Sequence, residues 1–340
     1  MLFNVLYLKK RLMRKIIFVA IFATVYSISV AQINSSKDLY LTKSFKDAGF
    51  KKIDAETSHG DIAVSVVPAA DTRIEVYVRS SNSIVELSKE EIQKKLDEYY
   101  TLDVSLAADV LRAVVHQKRE FMNGQSSLSI SFRIYVAKDK STVLKTSHGN
   151  IELSGMEGSQ ELATSHGNIS AEHISGKLTA RTSHGDVSVT DSKDDIDIRT
   201  NHGDLVLHNV KGKVHAGTDH GNIDGHIIEG VLYASTSHGD VTLENLGCSV
   251  ETSTDHGNIA LSFEKISGDI TAGNSHGDIS LQLPKGNGID LDLRGKDVDM
   301  VALVNFNGTR KKDEIKGTMN GGGAKVSAET DKGQISLTYR

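Results

Sequence analysis

Thr236-Ser237-His238-Gly239-Asp240-Val241 decides the fold, because near-copies of it stand 18 residues before and after. Its core, His-Gly-Asp/Asn, places His at 148, 166, 184, 202, 220, 238 and 256, and again at 276 after a two-residue insertion. An earlier copy lies at His59, far from the others in sequence. A degenerate late copy, Thr330-Asp331-Lys332-Gly333-Gln334-Ile335, carries Lys where His would stand. Self-similarity at a fixed period is the signature of a stacked-repeat architecture.

Counting from the Thr, the columns explain themselves. Position one is Thr146, Thr164, Thr182, Thr200, Thr218, Thr236 and Thr254, with Asn274 last. Position four is Gly in every copy, a backbone site that needs positive φ or close approach. Position five alternates between Asn and Asp, which bond the local backbone and suit turns. Position six is Ile151, Ile169, Val187, Leu205, Ile223, Val241, Ile259 and Ile279, and position eight is mostly apolar. A second turn signal falls at position thirteen, as in Gly158, Gly176, Asp194, Gly212, Gly230 and Cys248, followed by apolar residues two apart. Apolar residues two apart mark strands with one buried face.

Each repeat therefore reads as strand, turn, strand, turn. One repeat cannot bury its apolar face alone, but copies stacked in parallel share a continuous core. The expected fold is all-β, a parallel β-helix or β-solenoid with rungs of about 18 residues. Eight regular rungs at about 4.8 Å each make a rod on the order of 35–40 Å long. A left-handed helix of three hexapeptides per rung also fits 18 residues. Two turn signals per rung, rather than three equal ones, favour the right-handed form.

The ends depart from the repeat. Residues 1–31 read as a signal peptide, with Met13 as an alternative start. Met13-Arg14-Lys15 is basic, 16–30 is apolar, and Ser29-Val30-Ala31 is a small-x-small cleavage site before Gln32. Residues 32–145 form an N-terminal β segment, continuous with the solenoid of 146–340. Within it Ser88-Lys89-Glu90-Glu91 looks like a capping box. Ile92, Leu96 and Tyr99 share one helical face, so a short helix is expected to cover the first rung's open edge. Residues 305–324 are polar and Gly-rich, and read as a loop.

Composition narrows function. The 340 residues carry a net charge of −5 with no basic cluster, which argues against nucleic acid. Cys248 is the single cysteine, so no internal disulfide holds the chain. The chain is expected to be exported, to the periplasm, cell surface or medium, and to meet membrane only during export.

Thr-Ser-His-Gly-Asp-Ile repeats behind a signal peptide resemble the bacterial putative-adhesin family of β-strand-repeat proteins, a domain of unknown function. The resemblance spans roughly 36–340 and includes the helical excursion and the late Gly321-Gly322-Gly323 segment. It implies an adhesin or an envelope-binding role. Family members carry Thr-Ser-Ser-Gly-Asp-Ile, so the His of this chain stands where they have Ser.

No nucleophile–base pair, unique carboxylate pair or phosphate loop stands out, so no catalytic residue is expected. Polysaccharide-active β-helix enzymes are the outlying alternative. The partner expected is a cell-surface glycan or an envelope protein. The sharpest feature is the column His148, His166, His184, His202, His220, His238, His256 and His276. Its preferred reading is a structural ladder directed toward the core at the corner. The alternative is an imidazole array binding Zn or Cu, in which rings about 4.8 Å apart tilt toward one another. No other cofactor is expected. The Asp/Asn column lacks the calcium-binding nonapeptide of β-rolls and reads as turn chemistry. The Ser-rich second column, including Ser147, Ser165 and Ser183, is either a solvated face or a polar binding face.

Overall fold

Strict 18-residue recurrence lets every side chain meet its own counterpart one rung away, and the chain folds accordingly. The computed structural model describes residues 38–46, 49–82, 86–118, 127–300 and 305–340. The expected signal peptide lies outside the described residues. Residues 40–340 form one compact unit.

The regular rungs pair in parallel with an offset of 18. Thr200 faces Thr218 and His202 faces His220 on one side of the rod. Leu205 faces Ile223 on the next side, and Ile223 faces Val241 one rung further. Position six forms an interior line in which Ile151, Ile169, Val187, Leu205, Ile223, Val241, Ile259 and Ile279 are all buried. The parallel solenoid read from the columns is the observed architecture.

Each rung has three corners, where two turn signals were expected. The additional corner is position ten, where Gly155, His173, Asp191, Asn209, Ile227 and Asn245 all take positive φ. Between it and the corner at position thirteen runs a short third side. That side buries Met156, Ile174, Val210, Ile228 and Leu246. The sides are of unequal length, unlike three hexapeptides.

The early His59 copy is adjacent in space to the regular array. Lys52–His59 pairs with Ser141–His148, with His59 opposite His148. Ile62–Val66 pairs with Ile151–Ser154 and with Leu128–Val136. The intervening chain leaves the rod and returns in register. The late copy does the same. Ala324–Thr330 pairs with Ile270–His276, and Gln334–Tyr339 with Ile279–Leu283.

Both ends are closed by strands. The outer edge of Lys52–His59 is taken by Val110–Gln117, itself the partner of antiparallel Tyr100–Ala107. The helix Lys89–Tyr99 has its capping box, with Glu91 N–H donating to Ser88 Oγ and Ser88 N–H to Glu91 Oε2. It buries Ile92, Leu96 and Tyr99 and leads into Tyr100–Ala107. It was expected to cover the first rung's edge, but a strand satisfies that edge's backbone groups, which a helix side cannot. At the far end, the expected loop at 305–324 contains the hairpin Phe306–Arg310 and Glu314–Met319. Its second strand runs antiparallel to Ile289–Arg294. Backbone pairing organises this segment despite its polar side chains.

Ile223 has no exposed surface. Ile223→Asp would bury an unpaired charge in the apolar stack and should cost about 3 kcal/mol or more. Thermal unfolding measures it, and an unchanged melting temperature would contradict the interior line.

The histidine corner as candidate functional site

The corner between Thr and Asx is built from three ladders. The first is hydroxyl to carbonyl. Thr164 Oγ1 donates to Gly149 O at 3.0 Å, Thr200 to Gly185 O at 2.9 Å and Thr236 to Gly221 O at 3.0 Å. Thr330 repeats the bond to Gly277 O, and Asn274 replaces the hydroxyl with Nδ2, 2.7 Å from Gly257 O. These Thr side chains are buried, so each bond satisfies a polar group the core could not leave open.

The second ladder is backbone to backbone. A Cβ on Gly239 would lie 2.0 Å from Gly221 O, and φ there is +155°. Only glycine permits this approach. The third ladder runs through Asx. Asp186 Oδ1 accepts from Asp204 N–H, Asp204 Oδ1 from Asn222 N–H and Asn222 Oδ1 from Asp240 N–H, at 2.7 to 2.9 Å. It starts where Asp61 accepts from Asn150 N–H and ends where Asp278 accepts from Gln334 N–H. The carboxylate and amide oxygens of this column serve the turn, as its sequence pattern suggested.

Between Thr and Gly the chain bends, and the strict strand alternation ends. His148, His166, His184, His202, His220, His238, His256 and His276 are consequently exposed, whereas strand parity had placed them toward the core. With His59 they form one file of nine rings. Adjacent centroids are 4.7–4.9 Å apart and the planes differ by 0–8°. The rings lie face to face along the file, and the residues that carry them are exposed. Lys332 ends the file, with Nζ 2.9 Å from His276 Nε2. An ammonium only donates, so Nε2 accepts and the His276 proton sits on Nδ1. At the opposite end, burial and then the charge of His148 hold the His59 imidazole below its ordinary value of 6.5.

As the rings stand, no three His, Cys, Asp or Glu side chains among the described residues converge on a common point. Two further stacks escaped the sequence reading. His208 and His226 stack at 5.5 Å, and His226 Nε2 lies 2.7 Å from Asn245 Nδ2. His215 stacks on Tyr233 at 4.5 Å. Their 18-residue spacing was the available signal.

Two groups have strongly shifted acidity. Cys248 is fully buried, and burial, helped by the Glu229 charge, pushes its thiol up to about 12. A thiol held protonated is a poor nucleophile, so Cys248 acts as a small core residue. On the outer strand face, burial and then Asp204, Asp240 and Glu244 push the Asp224 carboxyl up to about 6.

The architecture defines a parallel β-solenoid whose rim repeats one set of groups along its length. The model of the Toastrack DUF4097 family matches residues 114–231 and 223–338, and the chain belongs to that family. Curated proteins give no match. Among solved structures, a putative adhesin of Bacteroides fragilis is 13% identical, covering 88% of this chain and 96% of its own, with a TM-score of 0.34. A putative adhesin of Parabacteroides distasonis is 11% identical, covering 87% and 96%, with a TM-score of 0.33. A putative cell adhesion protein of Clostridium sporogenes is 11% identical, covering 88% and 98%, with a TM-score of 0.19.

Two titrations of opposite sign follow. Asp224 binds its proton more tightly folded than unfolded, so its contribution is present below about pH 3.8 and lost as pH rises through about 6. The whole shift is worth about 3 kcal/mol. Solvent screening at this half-buried site reduces the expectation to about 1 kcal/mol. Asp224→Asn should therefore stabilise the fold by about 1 kcal/mol at pH 7 and flatten the pH slope between those values. His59 runs the other way, with full stability above 6.5 and a loss as pH falls below it. Melting curves of both variants, Asp224→Asn and His59→Ser, from about pH 3.5 to 8 check the two signs.

Proposed function

We propose that this chain is an exported, non-catalytic solenoid that binds a repetitive partner of the cell envelope through the rim formed by the His and Ser columns. The observation that carries this reading is the rim's translational sameness. One Ser/Asn/Asp, one imidazole edge and one Asx recur at a ring spacing of 4.7–4.9 Å. A catalytic site needs unlike groups converging at one place, and a file of like groups supplies none. A regular file suits a polymer that offers the same contact at each step, because weak contacts add along its length.

A surface glycan fits the chemistry best. Imidazole edges and Ser hydroxyls both donate and accept hydrogen bonds, as sugar hydroxyls do. Export rests on the segment 13–31, with mature protein beginning at Gln32.

The test uses envelope extract. Ser147→Trp, Ser165→Trp and Ser183→Trp together block the rim without touching the core, since these side chains lie on its outer side. Wild-type protein should retain envelope glycan and release no new reducing ends from it. The triple variant should lose at least tenfold in retention. Equal retention by the variant, or glycan cleavage by the wild type, would overturn the reading. Mass spectrometry of the protein recovered from a Gram-negative host should show a chain starting at Gln32.

A further inference from the structure

The nine-ring file has a property that glycan contact does not use. His59 to His256 are exposed, and each ring has an identical neighbour one rung away. Among the described residues, only His276 of the file has a side-chain hydrogen-bond partner, Lys332. We propose that adjacent imidazoles of this file act in pairs as a row of Zn2+ sites, each ion held by two histidines of successive rungs and completed by water.

Distances decide whether this works. Two ligands on a tetrahedral Zn2+, each about 2.05 Å away, stand about 3.4 Å apart. Parallel rings with centroids 4.7–4.9 Å apart place like nitrogens at about that same separation. The file as it stands is thus slightly too open to share an ion between neighbours. Closing the gap asks each ring tip to move about 0.7 Å. The in-plane lone pairs of parallel rings also point side by side rather than at a shared ion. The two rings of a pair must therefore turn in opposite senses by about 55° about χ2, a torsion that is broad for His. Exposed rings stacked only on each other are free to make this turn. A pair that closes opens the gap to the next ring, so the file resolves into alternating couples. Eight rings, His59 to His256, give about four ions per chain.

The electrostatics of the rim favour a cation. Asp219 and Asp255 precede His220 and His256, and Asp61, Asp186, Asp204, Asp240 and Asp278 follow their own histidines by two residues. Lys332 is the one cation among these rim columns. Neutral imidazoles beside that row of carboxylates attract divalent ions and repel polyanions. Imidazole ligands suit Zn2+ and also Cu2+ or Ni2+. Binding requires neutral rings, so it fails in acid.

Adjacency makes the idea testable, because two variants can lose the same number of histidines and differ only in spacing. The alternate variant carries His148→Ser, His184→Ser, His220→Ser and His256→Ser, and leaves no two neighbours in the file. The contiguous variant carries His166→Ser, His184→Ser, His202→Ser and His220→Ser. It keeps the couples His59–His148 and His238–His256. The His208–His226 stack is present in both and cancels. Titration with Zn2+ at pH 7.5, read by calorimetry and by metal content, should give about four more ions on the wild type than on the alternate variant. The contiguous variant should hold about two more than the alternate one. Zn2+ should also raise the wild-type melting temperature at pH 7.5 and not at pH 5.5. Equal Zn2+ content in the two variants would overturn the proposal. Should either variant melt early without metal, the wild type still decides. Saturating Zn2+ must then shield the file from diethylpyrocarbonate, and rings that stay equally reactive would sink the idea. Glycan retention measured in chelator is unaffected by either result, so this proposal and the binding reading stand or fall separately.

Discussion

In-register approach of the backbone at the Gly corner is the constraint on which the rest depends. Gly221 and Gly239 are so close that a single methyl group would overlap a carbonyl oxygen. That contact fixes the rung-to-rung offset, and the offset fixes everything stacked above it. Thr hydroxyls reach the carbonyl of the preceding corner, and Asx oxygens reach the following amide. A one-residue slip would break both ladders and turn the Ile223 line outward. The corner therefore holds register more firmly than the apolar columns alone, which tolerate Ile, Val or Leu at position six.

The same corner closes without a hydrogen bond from the histidine rings. Their rings touch one another, and neither the Thr bond nor the Asx bond involves them. Ser at this position, as the resemblance implies for other members of the family, preserves both ladders. Chemistry at the rim can vary while the rod stays as it is. On the binding reading proposed above, what the exposed column holds decides the partner.

Much of this was legible in the sequence because repetition multiplies each signal. The interior line, the parallel offset, the turn role of Asx and the capping box at Ser88 could all be read from column chemistry. Three things could not. The corner at position ten is filled by Gly, His, Asp, Asn, Ile and Asn in turn, so the shared left-handed backbone has no common residue to announce it. The rungs at His59 and Thr330 are joined to the array across long excursions, and only pairing over that distance brings them into file. The direction of the histidines was misjudged because strand parity was carried one residue too far, into a bend. As for the site, its members were visible as a list, whereas their parallel planes and the terminating Lys332 were not.

The Asx ladder has one more consequence. Its working atom is a single side-chain oxygen, which Asn and Asp both offer in the same place. Amide and carboxylate can therefore stand at any corner with the bond kept within 2.7–3.0 Å, yet each exchange adds or removes one full charge. Asp in place of Asn150, Asn168, Asn222 or Asn258 would keep the turn's bond while making the rim more negative. The charge of the rim can thus be set corner by corner, independently of the shape of the rod.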